Sequence, residues 1–584
     1  MGYAHEYAHA ILHRGRVPME PTDHVVNWAD APRKGKFHPG AETFALPGTE
    51  DLADAPVAPG LLDAAGTAGA AADGGAGGRE AAGAAGGFSL TLLSAMLRDS
   101  YGLTGRRLGV QANTDLPGLP FYTHANWSRG TAGGGGLYPV SVHWASGPSG
   151  PLTPGLHYYD VHRHALQRLL AGDVTGLVRE ALGPDAPPEA LDTDQYLILG
   201  VKYWQNSFKY NSFSFHVVST DVGTLVQTWR IWAAGRGLSV APVLWFDEPR
   251  LNGLLGVPGE EEAVFAVVPL RWDGAAPVRR AGAEVAGAPI AAGAGGAPGA
   301  AVAPGAGGAP GASAAAGAVP RHRPRARHRD VERSRTLLDF DALRAMHAAT
   351  LEGAADRPAP GALAAAAALP VEAGGVRAAL PEPVFPGGGV RSALRARRSS
   401  FGRFDARRPI GAGDLSAVLA ACAATRLGGD TDPAGEVRLA RVYAFVTHVE
   451  GVEPGAYAYD PDRGDLRLVA PGPQGAFLQE NYFLANYNLE QAGAVLVPTV
   501  RTTAVLDALG DRGYRLAVGT AGAVAQTFYV AASALGLGAG VALGFDNVSY
   551  VERLGLADGD EAPLLIMALG HERPGPADFR HEIA

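Results

Sequence analysis

Residues 217–270 read VVSTDVGTLVQTWRIWAAGRGLSVAPVLWFDEPRLNGLLGVPGEEEAVFAVVPL, and residues 516–569 read LAVGTAGAVAQTFYVAASALGLGAGVALGFDNVSYVERLGLADGDEAPLLIMAL. The two stretches align without a gap. Identical positions include Gly223 and Gly522, Gln227-Thr228 and Gln526-Thr527, Phe246-Asp247 and Phe545-Asp546, and Gly256 and Gly555. Upstream, GLHYYD at residues 155–160 matches GAYAYD at residues 455–460. The period is too long for a solenoid, so the repeat indicates a domain duplication.

Each copy follows the same order of predicted elements. Residues 220–235 and 519–534 place apolar side chains at helical spacing, and Gly237 and Gly536 follow as helix ends. A short apolar strand then leads to the Phe-Asp pair. Residues 140–145 and 441–447 are earlier apolar segments bounded by Gly and Pro, which is typical of strands. The sequence therefore predicts an α+β fold built from two related domains.

Composition limits the classes of function. The chain has 584 residues, of which 47% are hydrophobic and 18% charged, and its net charge of −9 gives no general attraction to nucleic acid or membranes. Its single cysteine, Cys422, excludes an intrachain disulfide and a cysteine zinc site. We found no long uninterrupted apolar stretch or signal-peptide pattern. We therefore expect a cytoplasmic protein without nucleic-acid or membrane partners.

Two stretches rich in Ala, Gly and Pro predict linkers. Ordering each backbone residue costs about 1–2 kcal/mol, which such small side chains do not offset. The basic residues 321–329 are either a nucleic-acid patch or a solvated charge run, and the lack of interleaved aromatics favours the second. The predicted segments are an N-terminal segment 1–62, an Ala/Gly linker 63–87, a first domain 88–272, a disordered linker 273–330, a connecting helical segment 331–384 and a second domain 385–584.

Residues 397–404, RRSSFGRF, are the first group with chemical potential. Arg397, Arg398 and Arg403 beside Ser399 provide the forked N–H donors and the hydroxyl that a phosphate monoester needs. The alternative is an exposed basic turn before a helix that begins near Asp414.

Two glycine-rich segments could lie against a flat ligand. Residues 128–139, SRGTAGGGGLYP, place four consecutive glycines before a strand and allow close backbone approach. Gly538 and Gly540 would let a strand end pass edge-on along a planar ring. The alternatives are a flexible loop for the first segment and tight helix–strand packing for the second.

Lys209-Tyr210 lies among aromatics in WQNSFKYNSFSFH, residues 204–216. A desolvated lysine has a lowered pKa and can act as a general base. A structural lysine that extends its ammonium group to solvent is the alternative.

Together these motifs resemble the nitroreductase superfamily, in which an Arg-Arg-Ser start, a Gly-Leu-Gly segment and a Gly-Phe pair frame one FMN. The chain also resembles the SagB/ThcOx-type dehydrogenases, or azoline oxidases. Residues 28–36, WADAPRKGK, resemble that family's opening segment. Residues 131–139 resemble its Pro-Ser-Ala-Gly-x-x-Tyr-Pro loop, with Thr-Ala in place of Ser-Ala and an added glycine. Lys209-Tyr210 stands where the family carries a catalytic Lys-Tyr pair.

The two copies depart from this pattern in complementary ways. The second copy has Ala508-Leu509 where the first has Lys209-Tyr210, and the first copy lacks the Arg-Arg-Ser start and the GHERP tail at residues 570–574. Superfamily members usually form homodimers with FMN at the interface. The resemblance therefore implies an intramolecular pseudo-dimer of two nitroreductase-like domains with one composite FMN site.

The resemblance further implies oxidation of thiazolines or oxazolines to azoles in a ribosomally made peptide, with hydride transfer to flavin and reoxidation by O2. Lys209 or Tyr210 would be the base, a precursor peptide the substrate, and a ring-forming cyclodehydratase a candidate partner. The alternatives are an NAD(P)H-dependent nitro or quinone reductase and a non-catalytic docking subunit. No metal is expected, because the HEYAH match at residues 5–9 has no evident third ligand. The implied FMN-binding residues are Arg397, Arg398, Ser399, Arg403, Thr131, Ala132, Gly133, Gly538, Gly540 and Arg573.

Overall fold

A computed structural model describes residues 2–62, 86–108, 125–274, 324–385, 387–575 and 579–583. Most of the two predicted linkers, 63–87 and 273–330, lies outside the described residues. The end of the second linker does not: Ala326 is buried, and Asp330 forms an ion pair with Lys202. The prediction of a linker up to residue 330 is therefore wrong at its C-terminal end, because these residues pack on the first sheet.

The regular elements of the described chain are mostly short, and strands and helices come in runs along the sequence. The α-helices are α1 Tyr3–His13, α2 Ala58–Leu62, α3 Leu90–Ser100, α4 Thr175–Leu182, α5 Pro188–Leu191, α6 Trp204–Tyr210, α7 Ser214–Ala234, α8 Glu248–Leu255, α9 Asp341–Leu351, α10 Val390–Ala396, α11 Ala412–Ala424, α12 Gly475–Glu480, α13 Thr502–Leu509, α14 Gly513–Ala534 and α15 Asn547–Leu554. The β-strands are β1 Glu42–Ala45, β2 Gly105–Leu108, β3 Ala125–Ser128, β4 Val140–Ser146, β5 Gly155–Asp160, β6 Ala165–Ala171, β7 Gln195–Lys202, β8 Glu262–Pro269, β9 Arg377–Ala379, β10 Ala440–Val446, β11 Gly455–Asp460, β12 Asp465–Pro471, β13 Ala494–Val500, β14 Gly538–Ala542, β15 Ala562–Pro563, β16 Ile566–Gly570 and β17 Arg580–Glu582.

Two antiparallel sheets share one strand order. The first runs β1-β6-β5-β4-β7-β8, and the second runs β9-β12-β11-β10-β13-β16 with β14 added at its edge. Even an irregularity in register recurs, after Leu156 in the first sheet and after Ala456 in the second. The predicted α+β fold is confirmed, and the sequence repeat corresponds to repeated strand connectivity.

The long helices α7 and α14 pack against each other in a hydrophobic core that they share with both sheets. The repeated glycines allow this close crossing. A Cβ on Gly223 would lie 1.9 Å from the carbonyl oxygen of Gly519, and a Cβ on Gly522 would lie 2.1 Å from that of Thr220. Gln227 Nε2 also donates to Thr527 Oγ1 at 3.1 Å. The matched glycines and the Gln227–Thr527 hydrogen bond therefore lie at the contact between the two helices.

Among the described residues, α14 has the length and apolar composition of a membrane span. However, 94% of its most apolar window is buried inside the protein. Its composition is thus explained by its position as a core helix.

Several predicted boundaries are wrong. Strand β1 belongs to the predicted N-terminal segment but pairs with β6, and β9 belongs to the predicted connecting segment but pairs with β12. In the first copy, the strand predicted before Phe246 is reduced to a bridge between Val243 and Val267. Both long helices also begin about six residues before the predicted start. Edge strands of three or four residues are too short to show a clear alternation of apolar and polar side chains. They form because they pair with strands far away in the sequence, which a local pattern does not reveal.

Candidate functional site

A cleft of about 1140 Å³ lies where the two repeated halves meet. Its wall combines the N-terminal segment, the glycine-rich loop and the α6–α7 region with three segments of the second half. Those are residues 396–403, residues 482–487 and the end of β14. A small sheet of β17, β2 and β3 completes it, so the C-terminal strand pairs with the first half. Both halves therefore supply the cleft.

The glycine-rich loop is held rigidly against both long helices. The Gly134 amide donates to Asp221 Oδ1 at 2.7 Å, and the Ala132 amide donates to Gln526 Oε1 at 3.0 Å. Gly135 has a φ of 59°, and a Cβ there would lie 2.5 Å from Tyr210 Oη and 2.6 Å from Lys209 Nζ. The left-handed φ favours glycine here, and a larger residue would have to displace the ends of the Tyr210 and Lys209 side chains.

Lys209 and Tyr210 lie side by side in the cleft wall at the end of α6. Lys209 Nζ lies 5.8 Å from the centre of the Trp28 ring and 4.7 Å from that of the Tyr210 ring. Burial, reinforced by the nearby Lys34 ammonium, lowers the pKa of Lys209, whereas burial raises the pKa of Tyr210. The lysine is thus the group of this pair that loses its proton more readily than usual.

Arg397 joins the halves. Its Nε donates to the Gly130 carbonyl at 2.8 Å and its Nη2 donates to the Arg129 carbonyl at 2.9 Å. The guanidinium carbon also lies 5.1 Å from the centre of the Tyr529 ring. This arginine lines the cleft, but its donors are directed at the backbone of the glycine-rich loop.

The neighbouring polar groups remain at the cleft surface. Arg398 pairs with Glu572 and keeps 42% of its side chain exposed. Ser399 Oγ lies 2.9 Å from the hydroxyl of Tyr529. Arg403 lines the cleft and donates to the Arg573 carbonyl. These residues place guanidinium and hydroxyl groups on one wall, as an anion site requires.

Four predicted FMN-binding residues are not brought to the wall. Thr131 is fully buried and donates to Thr228 Oγ1 at 3.0 Å. A Cβ on Gly538 would strike Glu572 and Ser400, and one on Gly540 would strike the Tyr487 ring. Arg573 hydrogen-bonds the chain near Gly402. Both glycines thus pack against side chains of the protein, and neither lines the cleft.

The structure adds wall residues that the sequence motifs did not single out. Trp28 and Lys34 come from the segment that resembles an azoline oxidase opening, which was the available signal. Arg107 reaches the wall from β2 and donates to the Arg397 carbonyl at 3.0 Å. Asp221 is the single carboxylate among the described wall residues, whereas the cations there are Arg14, Lys34, Arg107, Lys209, Arg397, Arg398, Arg403 and Arg580.

The position related to this cleft by the repeat is closed. Pro242 and Leu244, which align with Val541 and Leu543 of the open cleft, border a cavity of only about 10 Å³. The Asp430 carboxylate fills this region, since it accepts hydrogen bonds from the amides of Leu244 at 2.8 Å and Trp245 at 3.2 Å.

A buried ionic cluster seals the same region. Glu248 accepts hydrogen bonds from Arg512 and Arg515, both at 2.8 Å, and all three side chains are at most 4% exposed. Arg515 also donates to Thr350 Oγ1 at 2.9 Å, so the segment after the second linker covers the cluster. The second copy thus replaces Lys209-Tyr210 with apolar residues and closes the equivalent space.

The chain is similar to known proteins in sequence and fold. The family model described as "Nitroreductase family" matches residues 394–571. A provisionally named nitroreductase of Methanocaldococcus jannaschii is 33% identical over 147 residues, which cover 24% of this chain and 68% of the relative. A provisionally named nitroreductase of Anabaena variabilis has a crystal structure with a TM-score of 0.65 at 20% identity, covering 98% of this chain and 100% of that one. The crystal structure of another provisionally named nitroreductase, from Ralstonia eutropha, has a TM-score of 0.28 at 24% identity. The match covers 38% of this chain and 99% of that one.

Proposed function

The chain belongs to the nitroreductase family, and we propose that it is an FMN-dependent oxidase that converts azolines in a ribosomally made peptide to azoles. The observation that carries the proposal is the cleft itself. It brings Lys209 and Tyr210 of the first half into one wall with Arg398 and Ser399 of the second half.

The residues present fit FMN. The volume of about 1140 Å³ accommodates a flavin and part of a substrate, since small-molecule pockets range over about 300–1,000 Å³. Arg398, Arg403 and Arg107 supply guanidinium groups for the phosphate, with Ser399 as a hydroxyl partner. Burial lowers the pKa of Arg107 to about 10, so it remains cationic at neutral pH. When bound, FMN would accept a hydride and pass the electrons to O2.

The chain's own residues would handle the proton of the reaction. Aromatisation removes a proton from one ring atom and a hydride from another. Lys209 has the lowered pKa and the contact with the cleft that a general base needs. Tyr210 lies beside it and would orient the ring or relay the proton. The backbone at Gly135 lies against the ends of both side chains.

The mouth of the cleft supports a peptide substrate over a small quinone. Side chains lining it that are also markedly exposed are Trp28, Trp127, Phe483, Leu484 and Phe579. Exposed apolar side chains gathered in one place indicate a binding surface. A peptide that carries an azoline could bind these side chains while its ring enters the cleft.

We infer that the molecule is a fused pseudo-dimer with one FMN per chain. The repeated strand order and the α7–α14 crossing support a duplicated origin. The cavity of about 10 Å³ at the equivalent position leaves no room for a second flavin. The phosphate-binding and proton-accepting residues, which fell in different copies, would then act in the same site.

The test is to load the purified chain with FMN and add a synthetic peptide that contains one thiazoline or oxazoline. A mass loss of two hydrogen atoms with hydrogen peroxide formation is expected. If the peptide is unchanged while NADPH alone reduces the flavin rapidly, the protein is an NAD(P)H-dependent reductase. If no FMN binds, the oxidase proposal is wrong.

A further inference from the structure

Asp221 is a buried carboxylate at the open cleft that none of the motifs includes. It lies on α7 in the cleft wall and is 4% exposed. Its Oδ1 accepts the Gly134 amide at 2.7 Å, and its Oδ2 has no hydrogen-bond partner among the described residues. A buried polar oxygen without a partner is uncommon in folded proteins and needs an explanation, and its place in the cleft wall offers a functional one.

The surroundings of Asp221 suit a group that changes its charge. The titratable groups that face it are Tyr210 from α6 and Tyr101 from the end of α3. Burial raises the pKa of both tyrosines, and the Asp221 carboxylate raises it further. Lys209 Nζ lies close to Gly135, next to the Gly134 amide that holds the carboxylate. Burial raises the pKa of Asp221 itself to about 7, against the smaller effect of the Gly134 hydrogen bond.

The other half of the molecule supplies a comparison. Thr520 aligns with Asp221 on α14, which borders the closed position. At this one helical position the first copy has a buried carboxylate, whereas the second has a hydroxyl that donates to the Leu516 carbonyl of its own helix. General packing of the α7–α14 pair does not require the acid.

We propose that Asp221 is a proton-relay residue, which receives through Tyr210 or Lys209 the proton taken from the substrate. This inference rests on the proposed oxidase function. The C–H bond of the azoline breaks, and its proton passes to the Lys209–Tyr210 pair and then to Asp221 Oδ2. The two electrons leave with the hydride, O2 is their final acceptor, and the proton on Asp221 returns to water or to the peroxide product.

The test compares wild-type protein with Asp221→Asn, which keeps an oxygen acceptor for the Gly134 amide, and Asp221→Glu, which keeps the carboxylate. For the wild type, kcat should rise as the pH increases through about 7, because the relay needs an unprotonated acceptor. Asp221→Asn should lower kcat by about 10²-fold or more and abolish the rise of kcat with pH near pH 7. FMN affinity and KM should change little, and Asp221→Glu should restore part of kcat.

Asp430→Asn is the matched control, since Asp430 is a buried carboxylate at the closed position that already accepts several hydrogen bonds. Its pH profile should equal that of the wild type. An Asp221→Asn protein whose kcat still rises with pH near pH 7 would overturn the proposal.

Infrared titration of FMN-free protein separates this proposal from the oxidase function. A protonated carboxyl band that disappears between about pH 6 and 8, and that Asp221→Asn lacks, is expected. If no such band titrates in that range, Asp221 is not the proton holder, whatever the enzyme oxidises. If the band titrates but FMN-loaded wild type leaves the azoline peptide unchanged, the oxidase function fails and the proton relay with it.

Discussion

Arg397 Nε of the second half donates a hydrogen bond to the Gly130 carbonyl of the first half at 2.8 Å. The sequence motif assigned Arg397 to a phosphate, yet its donors fix the backbone from which the glycine-rich loop begins. The contact joins residues 396–403 of the second half to the loop that packs against Lys209 and Tyr210.

Arg397→Lys should behave like Arg397→Ala. Lysine keeps the charge but cannot make two hydrogen bonds with a planar fork. Each hydrogen bond to a charged group contributes about 1.5–3 kcal/mol, so the free energy of unfolding should fall by about that amount in both variants. Chemical denaturation measures it. A Lys variant as stable as the wild type, with only the Ala variant weakened, would show that charge alone matters.

Arg398→Ala should weaken FMN binding by about 10- to 100-fold, since it removes a charge-assisted phosphate contact. Riboflavin, which has no phosphate, should bind the variant and the wild type equally. Flavin fluorescence quenching measures both affinities. Arg463→Ala, at an exposed ion pair with Asp465, is the control and should alter neither. Equal losses for both flavins would assign Arg398 a structural role instead.

Lys209→Ala should retain the yellow bound flavin and lower turnover by about 10²- to 10⁴-fold. Burial and Lys34 lower the pKa of Lys209, so its neutral form becomes available as pH rises. Turnover limited by this base should therefore increase with pH until the lysine is deprotonated. Stopped-flow flavin reduction by the azoline peptide measures the effect. Loss of flavin from the Lys209→Ala protein would instead indicate a structural lysine.

Glu248→Gln should reduce the free energy of unfolding by about 3–5 kcal/mol, because it leaves Arg512 and Arg515 buried without their counter-charge. FMN affinity should be unchanged, because the cluster lies at the closed position. The control is Glu180→Gln, which breaks a surface pair with Arg250 and should lose less than about 1 kcal/mol. A second FMN binding site in the variant would contradict the assignment of Glu248 to a permanent seal.

Asp221→Asn should become more stable relative to the wild type as pH increases. The folded protein holds the Asp221 proton up to about pH 7, while the unfolded chain releases it near pH 4. Wild-type stability therefore falls between these values, by about 1.4 kcal/mol for each unit of pKa difference, and the variant lacks this loss. Denaturation of FMN-free protein at pH 5 and pH 8 measures it. A stability difference that is the same at both pH values would contradict it.

The sequence predicted the parts of the fold that depend on local pattern. The two long helices are strongly periodic, and Gly223 and Gly522 match because each lies where α7 and α14 cross. Strands β1, β9 and β17 were missed since their pairing depends on residues far away in the chain. The C-terminal strand, in particular, returns to the first half.

The site was predictable where the chemistry is concentrated in a motif. Lys209, Tyr210 and Arg398 do reach one cleft, whereas Gly538 and Gly540 pack against protein, because small residues serve close packing as well as ligand contact. Asp221 was missed within an apolar helix. Its alignment with Thr520 was the available signal: the copies differ there in charge at a buried helical position.

The number of FMN molecules bound per intact chain tests the central claim most directly. Titration of flavin-free protein, followed by fluorescence and by phosphorus analysis of the washed complex, should give one FMN per chain. Arg398→Ala in the second half should weaken that single site, and Lys209→Ala in the first half should leave it filled but inactive. Two FMN molecules per chain, or none, would contradict a single site built from both halves.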